Sequence, residues 1–221
     1  MLDALGTLLT FEPPAPYLRA ALRERLGLDV SEAAATAAIR AEIAYYRAHL
    51  HEGRDVASLA DLRRRSAEAM RPALGTNADT GALTGALLAA LRFRAYPDAP
   101  PALRELRARG LRLVVVSNWD VSLHERLAET GLTGLVDGAV ASAELGHAKP
   151  DRAIFEHALA LAGAAPEEAL HAGDSPDADV RGALAAGLRA VLVARDGAAA
   201  APAGVPVVRS LAELPGLCQY P

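Results

Sequence analysis

Leu111-Arg112-Leu113-Val114-Val115-Val116-Ser117-Asn118 is the stretch on which the fold turns. Its nearly unbroken apolar run is the pattern of a strand buried on both faces, as in a parallel sheet, and Ser117-Asn118 ends it with polar groups. The spacing on either side predicts helices. Ala102 to Arg109 is closed by Gly110, and Leu123 with Leu127 leads to a stop at Gly131. Ala139 to Ser142 reads as a weaker strand, Ala169-Leu170-His171-Ala172 as a short one, and Ala190 to Val193 as another. Asp151 is placed to cap a helix carrying Ile154, Phe155 and Leu159, and a further helix carries Val180, Ala183 and Leu184 to Gly187. Val205 to Val208 is an edge strand because it holds Pro206. Strand and helix in alternation give an α/β chain with a parallel sheet.

Two segments stand outside that alternation. Met1-Leu2-Asp3-Ala4-Leu5-Gly6-Thr7 ends a short apolar run on a carboxylate and then turns, which delivers Asp3 to the crevice where open α/β sheets bind ligands. Only two residues precede Asp3, so the expectation is either an upstream start or an unusually short first strand. From Glu12 to about Phe93 the pattern is helical: Leu18, Leu22 and Leu26 before Gly27; Ile39, Ile43, Tyr46 and Leu50 after Ser31; Leu59, Leu62, Ser66 and Met70; then Leu83, Leu87, Ala90 and Leu91. This is a helical bundle inserted into the chain, entered through Pro13-Pro14-Ala15-Pro16, which reads as a stiff linker. Gly197 to Gly204 reads as a flexible loop.

Composition narrows the function. The chain has 221 residues, 52% of them hydrophobic, and a formal net charge of -4. Mild acidity argues against general nucleic-acid binding, for which basic surface supplies most of the affinity. No apolar run reaches a membrane span, and one cysteine, Cys218, cannot form an internal disulfide. The expected setting is cytoplasmic, the expected partner a small molecule, and the oligomeric state is open.

Asp3, Ser117, Lys149 and Asp174 each fall at or just beyond a strand end, so a parallel sheet brings them to one edge. Two carboxylates repel unless a cation lies between them, and hard oxygen ligands suit Mg²⁺. Ser117 offers a hydroxyl and Lys149 a point charge to an anionic group. Nucleophilic carboxylate, metal and cationic clamp together describe attack on phosphorus through an aspartyl-phosphate.

The four stretches Asp3-Ala4-Leu5-Gly6-Thr7-Leu8, Val116-Ser117-Asn118, Lys149-Pro150-Asp151 and Gly173-Asp174-Ser175-Pro176-Asp177-Ala178-Asp179 resemble, in order and spacing, the four motifs of the haloacid dehalogenase-like (HAD) hydrolases. The resemblance implies a Rossmann-like core at 1–11 and 93–221 with an α-helical cap at 12–92, the cap lying between the first and second motifs. It also implies Mg²⁺ held by Asp3, Asp174 and the backbone carbonyl of Leu5. Asp3 would be the nucleophile, Ser117, Asn118 and Lys149 would hold the transferred group, and Asp179 would support the metal site. Phosphatases of this family carry an acid two residues after the nucleophile; here that position is Leu5, which can neither protonate a leaving alkoxide nor activate water. The resemblance therefore implies a phosphatase of small metabolites that favours acidic leaving groups, with a 2-haloacid dehalogenase or a catalytically silent binding protein as alternatives. His147 and His171 read as loop and packed histidines, Tyr45 and Tyr46 as core, Arg47, Arg54 and Arg63-Arg64-Arg65 as solvated faces, and Trp119 with Asp120 as residues near the mouth.

Overall fold

The computed structural model describes residues 1–197 and 201–218. Residues 198–200 of the Gly197–Gly204 stretch lie outside that description. The chain divides into two compact units, Phe11–Phe93 and a second made of Met1–Thr10 with everything from Arg94 on. Where the chain crosses between them, two three-residue strands, β1 (Leu9–Phe11) and β2 (Phe93–Ala95), pair with each other.

The helical unit contains α1 (Pro14–Leu26), α2 (Glu32–His49), α3 (Val56–Ala69), α4 (Arg71–Leu74) and α5 (Thr80–Ala90). The proline run expected to form a linker instead opens α1. Pro14 and Pro16 sit where no intrahelical N–H partner exists, and their fixed φ suits a first turn. Gly27 then ends the helix in the left-handed conformation at φ 66°, which costs glycine little. Side-chain caps start α2, α3 and α5: Ser31 accepts from Ala34 N at 3.1 Å, Asp55 from Ser58 N at 2.9 Å, and Asp79 from Ala82 N at 3.0 Å. Leu18, Leu22, Ile39, Met70, Leu83 and Leu87 form the core, and buried alanines between them bring the helices close.

One member of the buried stripe of α2 is out of character. Ala35, Ala38, Ile39 and Glu42 share that face, and Glu42 is 5% exposed. Burial pushes its carboxyl up to about 7.

The second unit holds α6 (Ala99–Ala108), β3 (Val114–Ser117), α7 (Leu123–Glu129), β4 (Gly138–Ala141), α8 (Ser142–Leu145), α9 (Arg152–Ala162), β5 (Leu170–Gly173), α10 (Gly182–Ala185), β6 (Arg189–Val193) and β7 (Val207–Val208). Strands β3 and β4 pair in parallel, as do β5, β6 and β7. Between the two groups run residues 1–3. Leu2 bridges both Val115 and Ala172 in parallel, with Leu2 N on Val114 O at 3.0 Å, Val116 N on Leu2 O at 2.9 Å and Asp3 N on Ala172 O at 2.9 Å. Leu2 thus sits as a bridge at the centre of the sheet. The chain winds to one side through β3 and to the other through β5, so Asp3 ends the strand at the topological switch point.

Two local boundaries differ from expectation. Strand β3 begins only at Val114, because Leu113 N donates to the Asp137 side chain at 2.8 Å instead of to a strand. The helix after Asp174 opens as a π-helix, Pro176–Arg181, in which Asp179 N and Val180 N both reach Ser175 O. That wide turn carries Asp179 inward, where it is 1% exposed. Among the described residues, no helix is long and apolar enough to cross a membrane.

Glu42 gives the fold a testable signature. A folded-state value near 7, against about 4.5 in the unfolded chain, means the folded state keeps its proton longer. Stability from this group is whole below about pH 4.5, falls as pH rises towards 7 and is flat beyond. The loss is on the order of 3 kcal/mol, at about 1.4 kcal/mol per unit. Urea unfolding of Glu42→Gln against the parent should show a stability difference that grows over this window; a constant difference from pH 4 to 8 would contradict it.

Candidate active site

The site is assembled from strand ends. Asp3 closes the central bridge, Ser117 ends β3, and Gly173 ends β5 just before Asp174. Lys149 follows α8 in a loop pinned by Asn118, whose Nδ2 donates to Lys149 O at 2.9 Å and whose Oδ1 accepts from Lys149 N at 2.7 Å. Both ends of that amide are engaged on main chain, so Asn118 fixes where Lys149 starts. The neighbouring Trp119 and Asp120, expected at the mouth, are buried at 7% and 3% exposure; Asp120 accepts from Ser122 N at 2.7 Å.

From that anchor the Lys149 side chain runs inward. Its Nζ donates to Asp3 Oδ1 at 2.6 Å, to Asp179 Oδ1 at 2.5 Å and to Val116 O at 2.7 Å. An ammonium has three hydrogens, and all three are taken. Burial would lower its pKa, but the charges of Asp3 and Asp179 outweigh burial and raise it, so Lys149 is a fixed cation. Ser117 Oγ also donates to Asp3 Oδ1, at 3.0 Å. Both donors converge on one oxygen, Oδ1, and leave Oδ2 clear of them.

Asp179 is bound as tightly. Its Oδ1 accepts from Lys149 and from His171 Nε2 at 2.9 Å, and its Oδ2 from Ser175 N at 2.9 Å. Although burial acts upward, those donors hold its carboxyl well below the usual range. His171 is driven the other way: burial lowers it to about 4, so it is a neutral donor, packed edge-on against Phe155. Strand alternation marks only the face of β5 on which it lies. His171 and Gly173 lie two apart on β5 and face one side, and Gly173 has no Cβ because one would overlap the Asp179 carboxyl.

Asp174 differs from both. Its side chain accepts no ion pair among the described residues, and it is exposed. Desolvation and repulsion from Asp3 and Asp179 push it up to about 6, while burial likewise raises Asp3 against the pull of Lys149. One oxygen from each of Asp3, Asp174 and Asp179 lies within 4.8 Å of the others. Three carboxylates face a single ammonium, and the excess charge and hard oxygen donors fit a divalent cation such as Mg²⁺. Of the three, Asp3 and Asp174 retain open oxygens for it. Gly6 makes room for this pair: it sits at φ 88°, and a Cβ there would overlap the Asp174 carboxylate. Leu5, one residue earlier, is 40% exposed.

Comparison with known proteins bears on this geometry. A model of the haloacid dehalogenase-like hydrolases matches residues 1–187. Phosphoserine phosphatase of Thermus thermophilus is 45% identical over 105 residues, which is 47% of this chain and 42% of that protein. The chain thus spans less than half the length of the curated relatives it matches. Among solved structures, an HAD phosphatase from Thermococcus onnurineus is 25% identical with a TM-score of 0.65, over 98% of this chain and 95% of that one. The L-2-haloacid dehalogenase of Xanthobacter autotrophicus is also 25% identical, with a TM-score of 0.67 over 98% and 96%.

Protons would compete with a divalent cation for the Asp174 carboxylate. Mg²⁺ affinity measured by calorimetry should therefore weaken about tenfold from pH 7 to pH 5, crossing a carboxyl near 6. Asp174→Asn should abolish binding, and Gly6→Ala should weaken it at every pH. An affinity that ignores pH, or survives Asp174→Asn, would show that the cation is held elsewhere.

Proposed function

This chain belongs to the haloacid dehalogenase-like hydrolase family, and on that footing we propose that it is a Mg²⁺-dependent phosphatase of a small phosphorylated metabolite, with Asp3 as its nucleophile. The observation that carries the reading is the open carboxylate of Asp174 beside Asp3. Release of halide from carbon requires no cation and gains nothing from a second acid next to the attacking one. Displacement at a phosphoryl group requires its negative charge to be neutralised.

Asp3 Oδ2 attacks phosphorus while Ser117 and Lys149 hold Oδ1. The bond from phosphorus to the leaving oxygen breaks, and the electron pair departs on that oxygen. Water then attacks phosphorus, the bond to Asp3 breaks, and the carboxylate returns as phosphate leaves with one of the water's protons, the other passing through solvent to the departed oxygen. Mg²⁺, held by Asp3, Asp174 and the backbone carbonyl of Leu5, would supply the charge that the phosphoryl oxygens require. With its three hydrogens on protein oxygens, Lys149 acts chiefly by fixing Asp3. Asp179 supports the site by holding Lys149 and the turn at Ser175.

Leu5 sets the leaving-group preference. General acid help contributes ~10²–10⁴-fold, and leucine provides none, so acyl and aryl phosphates are the favoured substrates. The same leucine, exposed where an acid would serve a phosphatase, favours the second reading, a 2-haloacid dehalogenase, because halide needs no proton.

A panel of acyl, aryl and alkyl phosphates and 2-halo acids, run with Mg²⁺ and with EDTA, separates the two. Turnover of acyl and aryl phosphates that is lost with EDTA and in Asp3→Asn is the expected result; EDTA-insensitive halide release would establish the dehalogenase. Leu5→Asp should raise alkyl-phosphate turnover by about tenfold or more, given the ~10²–10⁴-fold reach of acid catalysis. No gain, or equal parental rates on alkyl and aryl esters, would mean another group delivers the proton.

A further inference from the structure

Beyond the residues that face Asp3, the same unit contains a second ion-pair network attached to the back of the nucleophile's turn. Arg195, just past β6, pairs with Asp98 through both guanidinium ends, Nη1 to Oδ2 at 3.1 Å and Nη2 to Oδ1 at 3.0 Å. The guanidinium lies over the Tyr96 ring, its central carbon 3.6 Å from the centroid. Nη2 also donates to Thr7 O at 2.6 Å. Asp98 is fixed in turn by Ser210 Oγ at 2.7 Å and Leu211 N at 2.9 Å, and Tyr96 N donates to Leu8 O at 2.9 Å.

The position of Thr7 gives this network its meaning. Thr7 is fully buried and follows Gly6, the residue whose close passage sets the space for Asp174. The turn closes on itself through Thr7 N and Leu8 N, both on Ala4 O, at 3.3 and 2.8 Å. Asp3 precedes Ala4 directly, so the turn's orientation is the orientation of the nucleophile. Residues 2 and 3 hold that turn from the sheet side, through Leu2 and Asp3 on the neighbouring strands. Arg195 holds it from the other. A planar fork suits this task better than a lysine, because it can meet a carboxylate with two bonds, stack on an aromatic face and still donate to a carbonyl.

We propose that Arg195 is a positioning residue for catalysis: stacked on Tyr96 and locked to Asp98, it fixes the Thr7 carbonyl and with it the angle at which Asp3 meets its target. This rests on the reading of Asp3 as nucleophile. Misplacement of a reacting group by about 1 Å costs on the order of 10²-fold in rate, which sets the scale of the effect.

The test pairs kinetics with hydrogen exchange in the full chain, using Arg195→Met, Arg195→Lys and Asp98→Asn. On p-nitrophenyl phosphate with Mg²⁺, Arg195→Met should lower kcat by roughly 30- to 100-fold with KM changed less than about threefold. Guanidinium ion at low, non-denaturing concentration should restore part of the loss in Arg195→Met. Arg195→Lys should remain well below the parent, lacking the fork. Amide exchange should accelerate in peptides covering Met1–Phe11 and Tyr96–Asp98 and stay at parental rates in β3 and α9. Asp98→Asn, the milder change, serves if Arg195→Met does not fold. A kcat equal to the parent's, or an exchange increase spread evenly over the unit, overturns the proposal. Should the parent itself show no phosphatase activity, the reading of Asp3 fails, and exchange alone decides whether Arg195 holds the turn: local acceleration supports the clamp, its absence refutes it.

Discussion

Everything in the site depends on one buried cation shared by two carboxylates. The Lys149 side chain is 2% exposed, as is that of Asp179, and the Asp3 side chain is 8% exposed. Charges so far from water are tolerable only when every donor and acceptor is met, and the surrounding residues accomplish that. Val116 O takes the third lysine hydrogen, Ser117 adds a second donor to Asp3, and His171 with Ser175 N completes Asp179. Removing one member of such a set exposes the others to the full cost of an unpaired buried charge, typically 3–5 kcal/mol. The network is therefore a device of geometry more than of net stability. It allows Asp3 one fully bound oxygen and one open oxygen.

The sheet explains why these residues can meet at all. The chain runs outwards from the centre on both sides, so β3 and β5 flank residues 1–3, and their carboxyl ends deliver Ser117 and Asp174 to the same crevice as Asp3. Two glycines then permit approach distances that no side chain would. Gly6 admits the Asp174 carboxylate and Gly173 admits Asp179. Of the three clustered acids, Asp174 has no donor from another side chain among the described residues, which suits its carboxylate to a cation.

Much of this was legible in the residues. The parallel sheet followed from Val114-Val115-Val116 and the alternation around it, and the inserted helices from the recurrence of Leu18, Leu22, Ile39, Leu83 and Leu87; membership in the hydrolase family followed from four short motifs in order. What was missed depends on contacts between residues remote in sequence. Pro13 to Pro16 looked like a linker because proline stiffens any extended segment, yet the first helical turn tolerates it equally well. His171 looked like packing alone, since nothing in its neighbours reveals that a π-turn eight residues on brings Asp179 back to it. Arg195 and Asp98 are 97 residues apart, and an arginine after a strand carries no local mark of what it will pair with. Asn118 sat within a recognisable motif, but only coordinates reveal that both ends of its amide engage the Lys149 backbone.

The proposed chemistry requires Asp3 to become covalently phosphorylated through its free oxygen while Lys149 and Ser117 hold the other. The most direct measurement is acid quenching of the enzyme during turnover of an acyl or aryl phosphate with Mg²⁺, followed by peptide mass mapping. A single phosphoryl group on the peptide containing Asp3, absent from Asp3→Asn, is the predicted result. Phosphoryl on any other residue, or turnover with none trapped on Asp3 at any quench time, would contradict it.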